Sequence, residues 1–211
     1  MSKTIYYPSE PKVGDIFAVN GKGWLSYLIK LISNGVSHVE ILALNPVSGE
    51  IECFSADGKG ARFKTMQEVV RNTDGDITYL ELRDDVRKKL DEQKFGEVII
   101  ALDGVPYDIL HFIGVAIDDE HINFLSIFKK IPTWILTMLK GAFNNTETMA
   151  KVVCSGASAW GLKKGLGLGI NASEQTPLDI CRWNIYKQET KLLKGEVMTI
   201  SKFNIVNVIG E

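Results

Sequence analysis

Hydrophobic and polar residues alternate in short runs through roughly the first eighty positions, where glycine, proline, asparagine and aspartate separate the runs. This alternation is typical of half-buried strands joined by turns. The predicted strands lie within 13–19, 37–44, 50–55, 61–63 and 77–82. Apolar residues at helical spacing interrupt them at 24–32 and 65–70. The first part of the chain is therefore expected to form an antiparallel sheet with short helices beside it.

Helical spacing dominates the second part of the chain. Helices are predicted over 84–102, within 149–161 and directly after Thr176-Pro177, with a closing strand or hairpin over 197–208. Threonine is a good N-cap and proline fits the first helical position, so Thr176 marks a helix start. The stretch 109–144 is predicted to be a helical insertion. The order of strands, helices and strands predicts an α+β fold in one domain covering 1–211.

Composition narrows the classes of function. The 211 residues carry a formal net charge of −2, which excludes a broadly basic nucleic-acid-binding surface. No segment contains the roughly 20 consecutive apolar residues that span a bilayer. The first residues lack the apolar core of a signal peptide, so a cytoplasmic location is expected, or release by another route. Cys53, Cys154 and Cys181 are widely spaced, which argues against a disulfide framework or a zinc site.

Cys154 has the most informative local sequence of the three cysteines. An apolar lead-in precedes it and a run of small residues follows it, which predicts that it stands at a helix N-terminus. There the helix dipole and free backbone N–H groups stabilise a thiolate, and the same N–H groups can hold an oxyanion. The alternative is a small buried hydrophobic residue. Cys53 and Cys181 lack a comparable setting and are interpreted as structural.

A nucleophilic thiol needs a base, and His38 on a predicted strand is the best candidate among three histidines. A structural histidine at a strand edge is the alternative. An acid must then orient the imidazole. We favour Glu52 on the partner strand of the hairpin over Glu40, which lies two residues from His38 and about 7 Å along the same strand. The spacing of His38 and Glu40 does not fit the helical zinc-protease motif, so neither a metal nor a cofactor is predicted.

Several short motifs follow one another in a fixed order. They are Gly14-Asp15-Ile16-Phe17, Ser37-His38-Val39-Glu40-Ile41, Ile51-Glu52, Gly104-Val105-Pro106-Tyr107-Asp108, Val153-Cys154-Ser155 and Thr176-Pro177. This order resembles the circularly permuted branch of the NlpC-type papain-like superfamily, which contains the YiiX-like amidases and peptidases. The lecithin–retinol acyltransferase group is a more distant relative. The scattered matches extend over about 13–180 of the chain.

The resemblance implies a permuted papain-like fold with Cys154 as the nucleophile at a helix N-terminus, His38 as base and Glu52 as the orienting acid. It also implies that Tyr107 lies near the substrate. Glu40 stands where the family usually has glycine, which adds a carboxylate beside the base in the substrate pocket. The implied reaction is cleavage of an amide bond in a peptide or peptidoglycan-like substrate through a thioester. A lipid acyltransferase or thiol esterase of the same fold, and a non-catalytic binding module, are the alternatives.

The segment 122–143 is rich in apolar residues interrupted by lysines. One interpretation is a buried helical hairpin. The other is an amphipathic element that covers the cleft or makes peripheral contact with a membrane or lipid, because lysines bordering an apolar face suit both roles. The sequence does not decide the oligomeric state.

Overall fold

The computed structural model describes residues 10–22, 26–27, 30, 36–105, 154–172, 175–187, 191–194 and 206–209. The predicted insertion at 109–144, its 122–143 segment and Tyr107 lie outside the described residues. The predicted helix over 24–32 is described only at three helical positions, Ser26, Tyr27 and Lys30.

A six-stranded sheet forms the centre of the described fold, and every neighbouring pair of strands is antiparallel. The strands are β1 (Ile16–Gly21), β2 (His38–Leu44), β3 (Ile51–Asp57), β4 (Gly60–Lys64), β5 (Gly75–Leu80) and β6 (Lys191–Lys194). They stand in the order β4-β3-β2-β1-β5-β6. The predicted antiparallel sheet in a mixed fold of helices and strands is confirmed. The last described strand is β6. Of the closing strand or hairpin predicted over 197–208, only 206–208 lie among the described residues, and there Val206 makes an isolated bridge to Trp183.

Five helices accompany the sheet among the described residues. They are α1 (Met66–Asn72), α2 (Asp84–Arg87), α3 (Glu92–Leu102), α4 (Cys154–Leu166) and α5 (Pro177–Arg182). The Thr176 side chain caps α5, as predicted, and forms a capping box with Asp179. Within the described ranges, none of the helices has the length and apolar character needed to cross a membrane.

The single helix predicted over 84–102 is wrong, because the chain forms α2 and α3 with a break between them. Asp91 causes the break: its side chain accepts the backbone N–H of Lys94 and caps α3. The backbone N–H of Asp91 bonds to the carbonyl of Gly165 in α4, at 2.9 Å. An aspartate is a strong N-cap, so this local bond outweighs the continuous apolar spacing.

Apolar side chains cover both faces of the sheet and form two separate clusters. One face packs against α3, α4 and α5, and its strand residues include Ile16, Ala18, Val39, Ile41, Ala43, Phe54 and Leu80. The other face packs against α1, through Phe17, Val19, Leu42, Cys53, Val69, Val70, Ile77 and Tyr79. A strand that is buried on both faces has few positions for polar residues, which explains why β2 is mostly apolar.

Small residues in α4 allow it to lie close to its neighbours. A Cβ atom added to Gly161 would stand 2.8 Å from a ring carbon of Phe95, and one added to Gly165 would stand 2.6 Å from Leu90. Both distances are shorter than van der Waals contact. The two glycines therefore allow α4 to lie close to α3 and to the segment that precedes α3.

Asp15 connects β1 to the elements around it and is 1% exposed. Its carboxylate accepts hydrogen bonds from the Tyr79 hydroxyl and from the backbone N–H of Leu82, and it pairs with the guanidinium of Arg87. Burial and the neighbouring carboxylate raise the pKa of the Tyr79 phenol, so its proton stays in the bond to Asp15. The Gly14-Asp15 motif thus has a structural role in this chain.

Candidate active site

His38 is the first residue of β2, and its side chain is one-fifth exposed. Its Nε2 atom lies 3.0 Å from Oε1 of Glu40 and 3.0 Å from Oγ of Ser55 on the neighbouring strand β3. Both contacts use the same ring nitrogen, so Nδ1 is left for a further partner. A histidine at the start of a strand held by two neighbours has a fixed ring orientation.

Cys154 is the first residue of α4 and has no solvent-exposed surface. Its thiol hydrogen-bonds to the imidazole of His38 and to the backbone N–H groups of Val39 and Ser155. The structure therefore brings together two residues that are more than a hundred positions apart in the sequence. The contact between thiol and imidazole is the one that proton transfer from a nucleophile to its base requires.

The charges of these groups depend on one another. Burial opposes the thiolate, but the imidazolium of His38 and the two backbone N–H groups outweigh it and lower the pKa of Cys154. Burial likewise opposes the imidazolium, but Cys154 and Glu40 outweigh it and raise the pKa of His38 to about 10. Despite its burial, Glu40 has its pKa lowered to about 2 by His38 and Lys64. These shifts all favour a thiolate–imidazolium pair beside an ionised Glu40.

The predicted contact between Glu52 and His38 is not made. Glu52 stands opposite Ala43 in the register of β2 and β3, about 17 Å along the strand from His38 at roughly 3.4 Å per residue. Its carboxylate instead accepts bonds from Asn45 and Ser48 in the hairpin turn, both at 2.9 Å. The carboxylate that contacts the imidazole of His38 is that of Glu40.

The 7 Å spacing that disfavoured Glu40 in the prediction is a distance along the backbone. Residues two apart on a strand do stand about 7 Å apart, but they share a face. The long side chain of Glu40 and the imidazole ring together span that separation. The glutamate that replaces the glycine usual in the resembling family is therefore the partner of the base.

Lys64 belongs to this polar cluster and was not predicted from the sequence. Its ammonium is 6% exposed and donates to Oε1 of Glu40 at 2.6 Å, to Oγ of Ser55 at 2.8 Å and, at 3.4 Å, to Asp57. A buried lysine is uncommon unless it is paired. The sequence feature that could have indicated Lys64 was its place on a strand, next to a predicted turn and at an inward-facing position.

A cavity of about 390 Å³ opens beside His38 and Glu40. Its wall carries charged groups of both signs: Lys22, Glu40, Asp57, Arg62, Lys64, Glu68 and Asp74. Arg62 pairs with Asp57 and Glu68 across this wall. The cavity thus has charged groups beside His38, and Cys154 is not among the described residues that line it.

Among the described residues, no group of three or more histidine, cysteine, aspartate or glutamate side chains is arranged to hold a metal ion. The positively charged Lys64 in contact with Glu40 and Ser55 occupies the place where a cation would compete for the same oxygens. Oε1 of Glu40 is thus paired with Lys64 and His38, whereas its Oε2 is buried and has no hydrogen-bond partner among the described residues.

Comparison with solved structures finds similar folds, among them that of a protein described as metalloprotein YiiX from Escherichia coli O157:H7. The similarity has a TM-score of 0.47 and 17% sequence identity, and it covers 74% of this chain and 67% of that one. YiiX is also the protein after which the group that the sequence motifs resemble is named. No protein-family profile and no curated protein matches the chain.

Proposed function

We propose that this protein is a cysteine hydrolase that cleaves an amide bond through a thioester acyl-enzyme. Cys154 is the nucleophile, His38 the general base and acid, and Glu40 the acid that orients the imidazole. The observation that carries the proposal is the continuous contact from the Cys154 thiol through His38 to Glu40 at the first residue of a helix. Glu40 replaces Glu52 in the originally predicted triad.

In the proposed reaction the Cys154 thiolate attacks the carbonyl carbon and forms a C–S bond. The imidazolium of His38 gives its proton to the leaving amine as the C–N bond breaks. His38 then takes a proton from water, which attacks the thioester and releases the acid and the thiol. The backbone N–H of Cys154, at the start of α4, has no acceptor within the helix and is proposed to donate to the oxyanion.

The cavity beside His38 favours a polar substrate. Its volume of about 390 Å³ is in the range of small-molecule sites, which start near roughly 300 Å³. An acyl chain placed there would strip water from charged groups such as Lys22 and Asp74 without replacing their hydrogen bonds. A peptide or a peptidoglycan-like fragment offers amide and carboxylate groups instead. We therefore place amide hydrolysis before lipid acyl transfer.

The complete burial of Cys154 favours a second candidate function. A substrate carbonyl reaches Sγ only after some of the groups that surround the thiol move. If they do not move, the thiol and imidazole are parts of the core, and the protein is a binding module that uses the polar cavity alone. The two candidates differ in whether Cys154 reacts in the folded protein.

Alkylation of the native protein tests that difference. Burial raises the pKa of both Cys53 and Cys181, so they are thiols near pH 6.5, whereas the lowered pKa of Cys154 gives it more thiolate character than either. We expect iodoacetamide to modify Cys154 at least about tenfold faster than the other two, because the thiolate is the reacting species.

Peptide mapping by mass spectrometry at a series of times gives the three rates. In denaturant the three cysteines should react alike, which is the internal control. Equal and slow modification of all three in the folded protein would favour the binding module.

Paired carboxylate variants test which acid orients His38. We expect Glu40→Gln to lower kcat/KM for an activated ester by about a hundredfold, since an uncharged amide stabilises the imidazolium far less than a carboxylate. Glu52→Gln, on β3 next to the hairpin turn, is the matched control and should change kcat/KM less than about twofold, because Glu52 bonds to turn residues and not to His38. The reverse ranking of the two variants would return the assignment to Glu52.

A further inference from the structure

We propose that Lys64 is a positioning residue that holds Glu40 against Nε2 of His38 and thereby selects the form of the imidazole that faces Cys154. The inference rests on the proposed function, because it assigns a role in that site. Lys64 lies in the cavity wall, and in this proposal it acts through Glu40 rather than on the reacting atoms.

The contacts form a closed ring of four polar atoms. Nζ of Lys64 donates to Oε1 of Glu40 and to Oγ of Ser55, and Nε2 of His38 lies 3.0 Å from each of these same two oxygens. The third N–H of Lys64 points to Asp57 at 3.4 Å. An ammonium has three donors, and each of them has an acceptor here.

The ring fixes the direction of every hydrogen bond in it. Lysine only donates, and an ionised carboxylate only accepts. The bond between Nε2 of His38 and Oε1 of Glu40 must therefore use a proton on Nε2. In the neutral imidazole this leaves Nδ1 unprotonated and free to take the proton of the Cys154 thiol.

Lys64 can act in two ways, and they have opposite signs. A cation near the imidazolium repels it, so a purely electrostatic Lys64 would disfavour the thiolate–imidazolium pair. A positioning Lys64 favours that pair, because it keeps the Glu40 carboxylate in contact with the imidazolium. Removal of the ammonium therefore raises the thiolate population in the first case and reduces it in the second.

The thiolate absorbs near 240 nm, so its population at neutral pH is measured directly by difference against Cys154→Ala. We expect Lys64→Met to reduce the signal and, with it, the ratio of the thiolate–imidazolium pair to the neutral pair at least about threefold, which is roughly half a pKa unit between thiol and imidazole. Lys59→Met is the matched control, since Lys59 is exposed in the turn between β3 and β4, and it should leave the signal unchanged. An unchanged or larger signal in Lys64→Met would overturn the inference.

Ser55→Ala is a second test of the inference, for the case in which Lys64→Met does not fold. It removes one acceptor of Lys64 and one neighbour of Nε2 without leaving a buried charge alone. Its thiolate signal should also fall, and circular dichroism establishes that each variant is folded. If Lys64→Met does not fold, an unchanged signal in Ser55→Ala overturns the inference.

The experiment separates the two proposals. Absence of any thiolate signal from Cys154 in the unaltered protein would contradict the proposed function. A clear signal that both variants leave intact would contradict only the role of Lys64.

Discussion

Replacing Cys154 with alanine is expected to abolish hydrolysis, with kcat/KM for an activated ester falling at least about a thousandfold. No other described side chain stands where it could take over, because the thiol occupies the start of α4 in contact with His38. Initial rates with a p-nitrophenyl ester give the loss. Intact-mass spectrometry of the rapidly quenched protein should show an acyl adduct that is absent from the variant.

Cys181→Ala is the matched control for that loss. Cys181 is buried near Cys154, and burial and the neighbouring acids raise its pKa to a level at which it is not a nucleophile. Its removal deletes a similar volume from the same region and should leave the acyl adduct in place. If both variants kept the same rate, the ester would be hydrolysed elsewhere and the nucleophile assignment would be wrong.

Cys154 and His38 could be chosen from the sequence because each has an informative local pattern. A run of small residues after an apolar lead-in marks the start of a helix, and a histidine in a β-rich segment marks a rigid position. The structure places the two side chains in contact. Their roles in a reaction stay a proposal.

The acid could not be chosen correctly, because the choice depends on strand register. Hairpin pairing correctly predicted that Glu52 lies on the strand beside β2, but the register sets it opposite Ala43 rather than near His38. Register follows from turn length and from which face is buried, and a strand buried on both faces gives no alternation to read. The sequence therefore contained both acids but did not distinguish their distances from the imidazole.

Lys64 was missed for a related physical reason. A lysine at the end of a short strand is usually solvated, and its burial depends on contacts with Glu40 on β2 and Ser55 on β3 that are distant in sequence. Such non-local pairing has no signature in a single segment. The break between α2 and α3, in contrast, has a local sequence signal, because Asp91 is a good N-cap for α3. The prediction of a single helix gave the continuous apolar spacing more weight than this cap.

Asp15→Ala is expected to have the largest effect on stability, reducing the free energy of unfolding by about 3–5 kcal/mol, as loss of one partner of a buried ion pair does. The change leaves the guanidinium of Arg87 without its carboxylate, and the Tyr79 hydroxyl and the Leu82 backbone N–H without their acceptor. Urea unfolding followed by circular dichroism measures the difference. Because β1 lies between β2 and β5, this loss affects the centre of the sheet.

An exposed ion pair provides the control. Asp85 pairs with Arg83, but its side chain is 59% exposed, so water replaces the lost partner and Asp85→Ala should unfold at nearly the same urea concentration as the unaltered protein. Equal midpoints for Asp15→Ala and Asp85→Ala would mean that the buried carboxylate contributes nothing to folding. In that case, folding would not explain the sequence motif around Gly14 and Asp15. If Asp15→Ala unfolds at a lower urea concentration than Asp85→Ala, as we expect, folding alone explains the motif. The proposed reaction then depends on Cys154 and His38 and not on Asp15.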